Sequence, residues 1–190
     1  MRIGILAIQG DFEAHARALE RLGVETALVK VPADLEGLDG LVLPGGESTT
    51  HLKVLIEEGL FDPLARRGRE GLPLFGTCAG AILLAREVKN PAQASLGLVD
   101  MTVVRNAYGR QLESCVTAGL TRISAKPLEM VFIRAPVIER VGPEVEVLAT
   151  RDGRPVLVRQ RHIVAATFHP ELAGDRAIHE FFLAIARNGG

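Results

Sequence analysis

One cysteine has neighbours that are typical of a catalytic thiol. Cys78 is the centre of GTCAG (residues 76–80), between an apolar run and a stretch with helical periodicity. This is the pattern of a nucleophile elbow, in which flanking glycines let a strand and a helix approach closely around a strained residue. The amino end of a helix favours a thiolate, and the Ala79 N–H could stabilise an oxyanion. The alternative is that Cys78 only fills volume at a strand–helix joint.

A nucleophilic cysteine needs a base, and His169 is the best placed of the five histidines. It ends the apolar run IVAATF and is followed by Pro170 and Glu171. The proline favours an extended backbone at His169, so we expect side chains 169 and 171 on the same side of the chain. A carboxylate there can fix the imidazole tautomer and stabilise the imidazolium. An ordinary His-Pro-Glu turn is the alternative.

The other histidines are predicted to have no part in the chemistry. His15, His51 and His179 fall in helical stretches, where we expect surface or packing residues. His162 adjoins a predicted hairpin turn among arginines and is expected to be solvated.

A glycine-rich segment follows a third apolar strand. In LVLPGGESTT (residues 41–50), Gly45 and Gly46 allow backbone N–H groups to face a ligand, and Ser48 or Thr49 is predicted to cap the next helix. A phosphate-binding loop is the competing interpretation, but the lysine of its motif is missing. The segment therefore predicts an oxyanion donor near Gly46.

Short apolar strands alternating with helices must bring these residues together. In the first half, RIGILAI, VETALVKV, GLVLP and LPLFG are predicted strands. Helices are predicted after Asp11, which can cap the first of them, and then around Thr49–Glu58, Phe61–Arg69 and from about Ala79 to Val88. Such alternation favours a parallel sheet covered on both faces, with ligands at the carboxyl ends of its strands.

The second half is predicted to be richer in strands. MTVVRN, MVFIRAP, VEVLATRDGRPVLVRQ and HIVAATFHP have strand patterns, with a hairpin at Asp152-Gly153 and a last helix at about Arg176–Arg187. We expect one α/β domain over residues 1–190, with a mostly parallel central sheet extended by antiparallel strands.

Composition excludes several other classes of protein. The net charge of −1 gives no reason to expect nucleic acid or an acidic membrane as a partner. Two cysteines without metal spacing favour a reducing cytoplasm. The apolar start MRIGILAIQG is too short for a signal peptide core or a membrane span, so we expect a buried first strand.

Three motifs together carry a family resemblance. PGGES, GTCAG and FHPEL, in this order, resemble the oxyanion strand, nucleophile elbow and His–Glu pair of class I glutamine amidotransferases. The whole chain is most similar to the glutaminase subunits of pyridoxal 5′-phosphate synthases, on AIQGDFEAH, PGGESTT, RNAYGRQ and FIRAP. The resemblance implies a three-layer, flavodoxin-like α/β fold with helices on both faces of the sheet.

The resemblance also implies an activity, the hydrolysis of L-glutamine to L-glutamate and ammonia. Cys78 would form a γ-glutamyl thioester, His169 and Glu171 would complete the triad, and N–H groups near Gly46 and Ala79 would bind the oxyanion. The implied glutamine contacts are Gly46, Glu47, Ser48, Arg105, Ile133 and Arg134. From the residues alone, the two arginines each end a strand-like run, and a guanidinium suits an α-carboxylate.

The resemblance further implies a partner. A (β/α)₈-barrel synthase subunit, in a hetero-oligomer, would receive the ammonia and make pyridoxal 5′-phosphate, and this chain would need no metal or cofactor. Gln9 and Gly10, at the end of the first strand, would couple docking to the oxyanion site. VKNPAQAS (residues 88–95) is interpreted as a variable loop. Two alternatives stay open: a glutaminase for another synthase, such as that of histidine biosynthesis, and a catalytically silent regulatory module.

Overall fold

The largest sheet of the described residues has seven strands. The structure is a computed structural model that describes residues 1–106 and 114–188. Most of the RNAYGRQ motif therefore lies outside the described residues. In chain order the strands are β1 (Arg2–Leu6), β2 (Glu25–Val29), β3 (Gly40–Leu43), β4 (Leu74–Thr77), β5 (Ala85–Lys89), β6 (Val99–Val104), β7 (Cys115–Gly119), β8 (Leu128–Phe132), β9 (Val137–Val141), β10 (Glu146–Arg151), β11 (Arg154–Gln160) and β12 (Ile163–Ala166).

The central sheet confirms the predicted mixture of parallel and antiparallel pairing. Its order is β10-β11-β12-β4-β3-β1-β2. The five strands from β12 to β2 are parallel to one another, and β10 and β11 extend one edge with antiparallel pairing. The turn between β10 and β11 has positive φ at Asp152 (51°) and Gly153 (75°), as the Asp-Gly signal predicts.

Helices cover both faces of this sheet because its strands are apolar on both faces. The helices are α1 (Phe12–Glu20), α2 (Ser48–Glu57), α3 (Phe61–Arg69), α4 (Ala79–Leu84) and α5 (Ala177–Asn188), with 3₁₀ helices at Pro32–Leu35 and Pro170–Leu172. One core cluster joins the sheet to α2, α3 and α4, and a second joins it to α1 and α5. In the described parts of the chain, no helix combines the length and apolar character needed to cross a membrane.

The helix predicted from Ala79 to Val88 is wrong beyond Leu84. Ala85 is extended, with φ −61° and ψ 151°, and β5 starts there and pairs in parallel with β6. The apolar residues Ala85 and Val88 are three positions apart, a spacing typical of a helix, but both are buried residues of strand β5. Tertiary pairing therefore overrides local periodicity here. Strands β5, β6 and β9 form a separate three-stranded sheet, and β7 and β8 form a two-stranded one.

The two predicted helix caps also differ from the structure. Asp11 occupies the N-cap position of α1, but its side chain makes no capping hydrogen bond. Helix α2 is capped by Glu47 rather than by Ser48 or Thr49, because the Glu47 carboxylate accepts a hydrogen bond from the Thr49 N–H at 3.2 Å. Both carboxylates lie beside the cavity described next.

Candidate active site

The backbone at Cys78 is strained. Cys78 connects β4 to α4 with φ 47° and ψ −102°, in a region that non-glycine residues rarely occupy. A Cβ at Gly80 would overlap the Leu43 carbonyl oxygen, and a Cβ at Gly76 would lie 2.7 Å from the Gly80 carbonyl carbon. The two glycines therefore permit the close strand–helix approach that holds the thiol in this turn.

Three neighbouring parallel strands end at the same edge of the sheet. Strand β3 leads to Gly45 and Gly46, β4 leads to Cys78, and β12 leads to His169. The Cys78 N–H donates to the carbonyl of Ala166 in β12 at 2.9 Å. A Cβ at Gly45 would collide with the His169 imidazole, so the glycine loop packs directly on that ring. The predicted loop, thiol and histidine are thus brought together at this edge, as expected for a doubly wound sheet.

His169 and Glu171 form a short hydrogen bond. The Nδ1 of His169 donates to Glu171 Oε1 at 2.7 Å, which confirms the expectation that the two side chains share one side of the chain. The backbone reason differs in part, because Glu171 lies in the 3₁₀ helix Pro170–Leu172 rather than in an extended strand. The Glu171 side chain is completely buried.

The environment of His169 favours its protonated form. Burial lowers the pKa of His169, but hydrogen bonds with Cys78 and Glu171 outweigh burial and raise it to about 10. Burial raises the pKa of Glu171, and the hydrogen bond to His169 opposes that rise. The geometry therefore supports an imidazolium held between the Cys78 sulfur and the Glu171 carboxylate.

Cys78 and His169 open onto a cavity of about 270 Å³. Asp11, Ile82, Asn106 and Pro136 form part of the cavity wall. The wall also contains all six residues that are predicted to contact glutamine, namely Gly46, Glu47, Ser48, Arg105, Ile133 and Arg134. Glu171 lies behind His169, and Gln9, Gly10 and Ala79 are not in the lining. The cavity is large enough for a small amino acid beside the thiol.

A negatively charged side chain and a positively charged one, Glu47 and Arg105, lie side by side in the cavity wall. The Arg105 Nη2 donates to Glu47 Oε1 at 3.1 Å. Burial raises the pKa of Glu47, but the hydrogen bonds from Thr49 and the charge of Arg105 outweigh it and lower the pKa. The Nη1 of Arg105 is buried and has no hydrogen-bond partner in the described part of the chain. The Glu47 carboxylate of this pair could therefore bind the ammonium group of a ligand, and the free N–H of the Arg105 guanidinium could bind a ligand carboxylate.

The comparison with known protein families assigns the chain. The sequence profile of the SNO glutamine amidotransferase family matches residues 5–187. The chain belongs to this family. Two curated relatives are called pyridoxal 5′-phosphate synthase subunit PdxT. The PdxT of Koribacter versatilis is 56% identical and covers 100% of this chain and 97% of the relative, and that of Thermotoga petrophila is 50% identical, covering 98% and 100%.

Solved structures agree with the family assignment. A crystal structure described as a glutamine amidotransferase has a TM-score of 0.92 and 49% identity, covering 97% of this chain and 98% of that one. The structure of PurLQS from Thermotoga maritima has a TM-score of 0.71 at 17% identity, covering 96% and 97%, which shows the fold alone. The expected α/β fold of a class I glutamine amidotransferase is confirmed.

Two histidines that the sequence placed among surface or packing residues contact the site of this SNO-family chain. His15 and His179 are completely buried. The His15 Nε2 lies 3.3 Å from Glu171 Oε2, and its Nδ1 lies 3.1 Å from His179 Nε2. A signal was available, because His15 is one turn before the core residue Leu19 on the apolar face of α1.

Two other expectations about side chains also need correction. His162 was predicted to be solvated, but it is half-buried and its Nε2 lies 2.8 Å from the Gly68 carbonyl oxygen. The VKNPAQAS segment was interpreted only as a variable loop. Its Gln93 accepts a hydrogen bond from the Ser48 hydroxyl at 3.0 Å, so the segment supports the cavity wall of this SNO-family chain.

One group of side chains in the described residues could hold a cation. Ligand atoms of Asp11, His169 and Glu171 all lie within 4.8 Å of one another. The same Nδ1 of His169 that would bind a metal already donates to Glu171, and it lies 3.6 Å from Asp11 Oδ2. The arrangement therefore fits a histidine oriented by carboxylates for proton transfer.

Proposed function

We propose that this chain hydrolyses L-glutamine to L-glutamate and ammonia, and that the ammonia passes to a synthase subunit that makes pyridoxal 5′-phosphate, the active form of vitamin B6. The observation that carries the proposal is the cavity in which a strained Cys78 and the His169–Glu171 pair face Glu47 and Arg105. The names of the relatives at 50% and 56% identity support the choice of synthase.

The reaction is acyl transfer through Cys78. The Cys78 thiolate, paired with the His169 imidazolium, attacks the side-chain amide carbon of glutamine, and the carbonyl oxygen becomes an oxyanion. N–H groups near Gly46 and Ala79 stabilise that oxyanion. The imidazolium then gives its proton to the departing ammonia, leaving a γ-glutamyl thioester. Water attacks the thioester while the neutral His169 takes its proton, and glutamate leaves as the thiolate–imidazolium pair is restored.

The charged residues of the cavity bind the amino-acid head of glutamine. The Glu47 carboxylate pairs with the α-ammonium, and Arg105 and Arg134 pair with the α-carboxylate. The Nη1 of Arg105, which has no partner among residues 1–106 and 114–188, supports this assignment, because a buried charged donor without an acceptor is costly until a ligand supplies one. Ser48 and Ile133 complete the wall of the cavity.

Gln9 and Gly10 couple the synthase to the oxyanion loop. A Cβ at Gly10 (φ 86°) would overlap the Gly45 carbonyl oxygen, so these two backbones are in direct contact. The Gln9 carbonyl accepts a hydrogen bond at 3.0 Å from the Nε2–H of His51. A Cβ at Gly46 would lie 3.1 Å from the same His51 atom. A (β/α)₈-barrel synthase docked on Gln9 would therefore reorient the Gly45–Gly46 peptide and activate hydrolysis.

The proposal includes the setting in which the chain works. Residues 1–190 act as one cytoplasmic glutaminase domain in a hetero-oligomer with the synthase. The domain uses no metal or cofactor and binds neither nucleic acid nor membrane.

Glutamate release from glutamine tests the proposal. The chain is assayed alone, with a pyridoxal 5′-phosphate synthase subunit, and with the cyclase subunit of histidine biosynthesis. We expect glutamate release to be stimulated only by the first of these partners, and to disappear in Cys78→Ala. Stimulation only by the histidine-pathway cyclase would favour the other-synthase alternative, and no hydrolysis under any condition would favour a silent regulatory module.

A further inference from the structure

A line of polar groups runs through the core behind Glu171. His15 on α1 lies between Glu171 and His179 on α5, with Nε2 3.3 Å from Glu171 Oε2 and Nδ1 3.1 Å from His179 Nε2. The His15 Nε2 also lies 3.1 Å from the Thr77 hydroxyl on β4. The side chains of His15 and Glu171 have no exposed surface. The mechanism above uses neither His15 nor His179.

The charge on Glu171 determines which His15 nitrogen carries the proton. Glu171 Oε1 accepts from His169, whereas Oε2 has no hydrogen bond of good geometry in the described residues and has His15 Nε2 at 3.3 Å. A lone pair on Nε2 would face the carboxylate oxygen in a fully buried site, which is unfavourable. A proton on Nε2, shared between Glu171 Oε2 and Thr77 Oγ1, removes that conflict.

His179 is consistent with the same assignment. With the proton of His15 on Nε2, the Nδ1 of His15 accepts from the Nε2–H of His179. The remaining Nδ1 of His179 then carries only a lone pair, and it has no hydrogen-bond partner in the described part of the chain. Burial lowers the pKa of His15 well below its usual value and lowers the pKa of His179 to about 4, so both rings are neutral.

We propose that His15 is a positioning residue for glutamine hydrolysis, in which its neutral ring, held by His179, keeps a polar Nε2–H beside Glu171 Oε2 at 3.3 Å. The proposal rests on the triad role of Glu171 proposed above. The donor keeps Glu171 ionised and directs Oε1 at His169. The charged groups around this line are Glu171 and His169 themselves, with Asp11 acting on Glu171 and with Asp175 and Arg176 acting on His179.

Loss of this donor has a specific kinetic consequence. Burial then acts on Glu171 with the His169 hydrogen bond alone opposing it among these side chains, so the pKa of Glu171 rises further. A protonated Glu171 no longer stabilises the His169 imidazolium, and the acid limb of the pH–rate profile moves to higher pH. The KM for glutamine changes little, because His15 does not line the cavity.

Substitutions of different reach test the proposal in the complex with the synthase. His15→Leu removes the donor, His15→Asn has an amide too short to reach Glu171, and His15→Gln places an amide N–H near the position of Nε2. We expect His15→Leu and His15→Asn to lower kcat about 10- to 100-fold, the usual effect of losing a supporting partner. The acid limb of the pH–rate profile of each of these two variants should move up by about one to two pH units. His15→Gln should recover most of kcat and the original limb.

The matched control is His162→Gln, a half-buried histidine remote from the cavity lining, which should leave kcat and the pH profile unchanged. Unchanged kcat and acid limb in His15→Leu would overturn the proposal. Equal losses of kcat in His15→Asn and His15→Gln, without a shift of the acid limb of the pH–rate profile, would overturn it too. Failure of His15→Gln to fold would also overturn it. Activity in Cys78→Ala would instead overturn the proposed nucleophile, so the two failures are distinguishable.

Discussion

The two cysteines of the chain lie in regions that differ in almost every respect. Cys78 is buried in a strained turn where three parallel strands end, beside a histidine with a raised pKa. Cys115 is half-buried on β7, in a two-stranded antiparallel sheet whose neighbouring residue Val116 is 65% exposed. Its sulfur accepts a hydrogen bond at 3.0 Å from Arg151, which also lies over the Phe132 ring.

The difference lies in the surroundings of the two thiols, and those surroundings favour proton transfer at one thiol alone. An arginine near sulfur provides positive charge in the Cys115 region, but it cannot exchange a proton at neutral pH. The Cys78 region has a histidine that can take up and release a proton, and a buried carboxylate that orients it. Five predictions test this contrast.

The largest expected effect is on the two thiols themselves. Cys78→Ala should abolish glutamate release while the melting temperature stays close to that of the wild type, because alanine fits the elbow. Cys115→Ala should keep most of the activity. Glutamine hydrolysis that survives in Cys78→Ala would remove the contrast between the regions and the mechanism with it.

Glu171→Gln tests whether the carboxylate sets the Cys78 region apart. The side chain keeps its shape but loses the charge that stabilises the imidazolium, so kcat should fall about 10²- to 10⁴-fold. Glutamine binding, measured by calorimetry on the Cys78→Ala background, should change much less, because Glu171 does not line the cavity. Full activity would reduce the His169–Glu171 pair to a structural turn.

The arginines of the two regions can be compared directly. Arg105→Ala should raise the KM for glutamine about 10- to 100-fold, the usual effect of losing a charged hydrogen bond. Arg151→Ala, which removes the arginine beside Cys115, should leave KM unchanged. Equal KM values for the two variants would contradict the assignment of Arg105 to the α-carboxylate.

The buried histidines His15 and His179 make the stability of the region behind Glu171 sensitive to acid. The pKa of His179 is lowered to about 4, so its stabilising contribution is present above pH 6.5 and is lost as pH falls toward 4. The shift corresponds to at most about 3 kcal/mol in the free energy of unfolding. His179→Phe should flatten this slope in denaturant titrations between pH 4 and 7. A slope equal to that of the wild type would mean that another group dominates.

The smallest expected effect concerns the segment next to the oxyanion loop. Gln9→Ala should reduce stimulation by the synthase about twofold to tenfold, in the range of coupling energies between sites. The basal rate of the free chain should survive. If stimulation were unchanged, coupling between the two proteins would run through another surface.

Local patterns in the sequence predicted most of the site because each motif adjoins a predicted strand. Gly46, Cys78 and His169 follow three apolar strands, and parallel strands place their carboxyl ends at one edge. The pairing of His169 with Glu171 needed only a spacing of two residues and a proline. Prediction was weakest where one spacing fits two structures, as at Ala85 and Val88, or where a cap shifts by one residue, as at Glu47.

By itself, the sequence predicted the parallel α/β order, the elbow at Cys78 and the pairing of His169 with Glu171, because each of these depends on residues close together in the chain. Only the tertiary structure decided that His15 and His179, 164 residues apart, meet behind Glu171, and that Arg105 pairs with Glu47. The physical reason is that a buried polar group must find a partner wherever the packing of α1 and α5 on the sheet places one. No local pattern of residues specifies which distant helix will supply it.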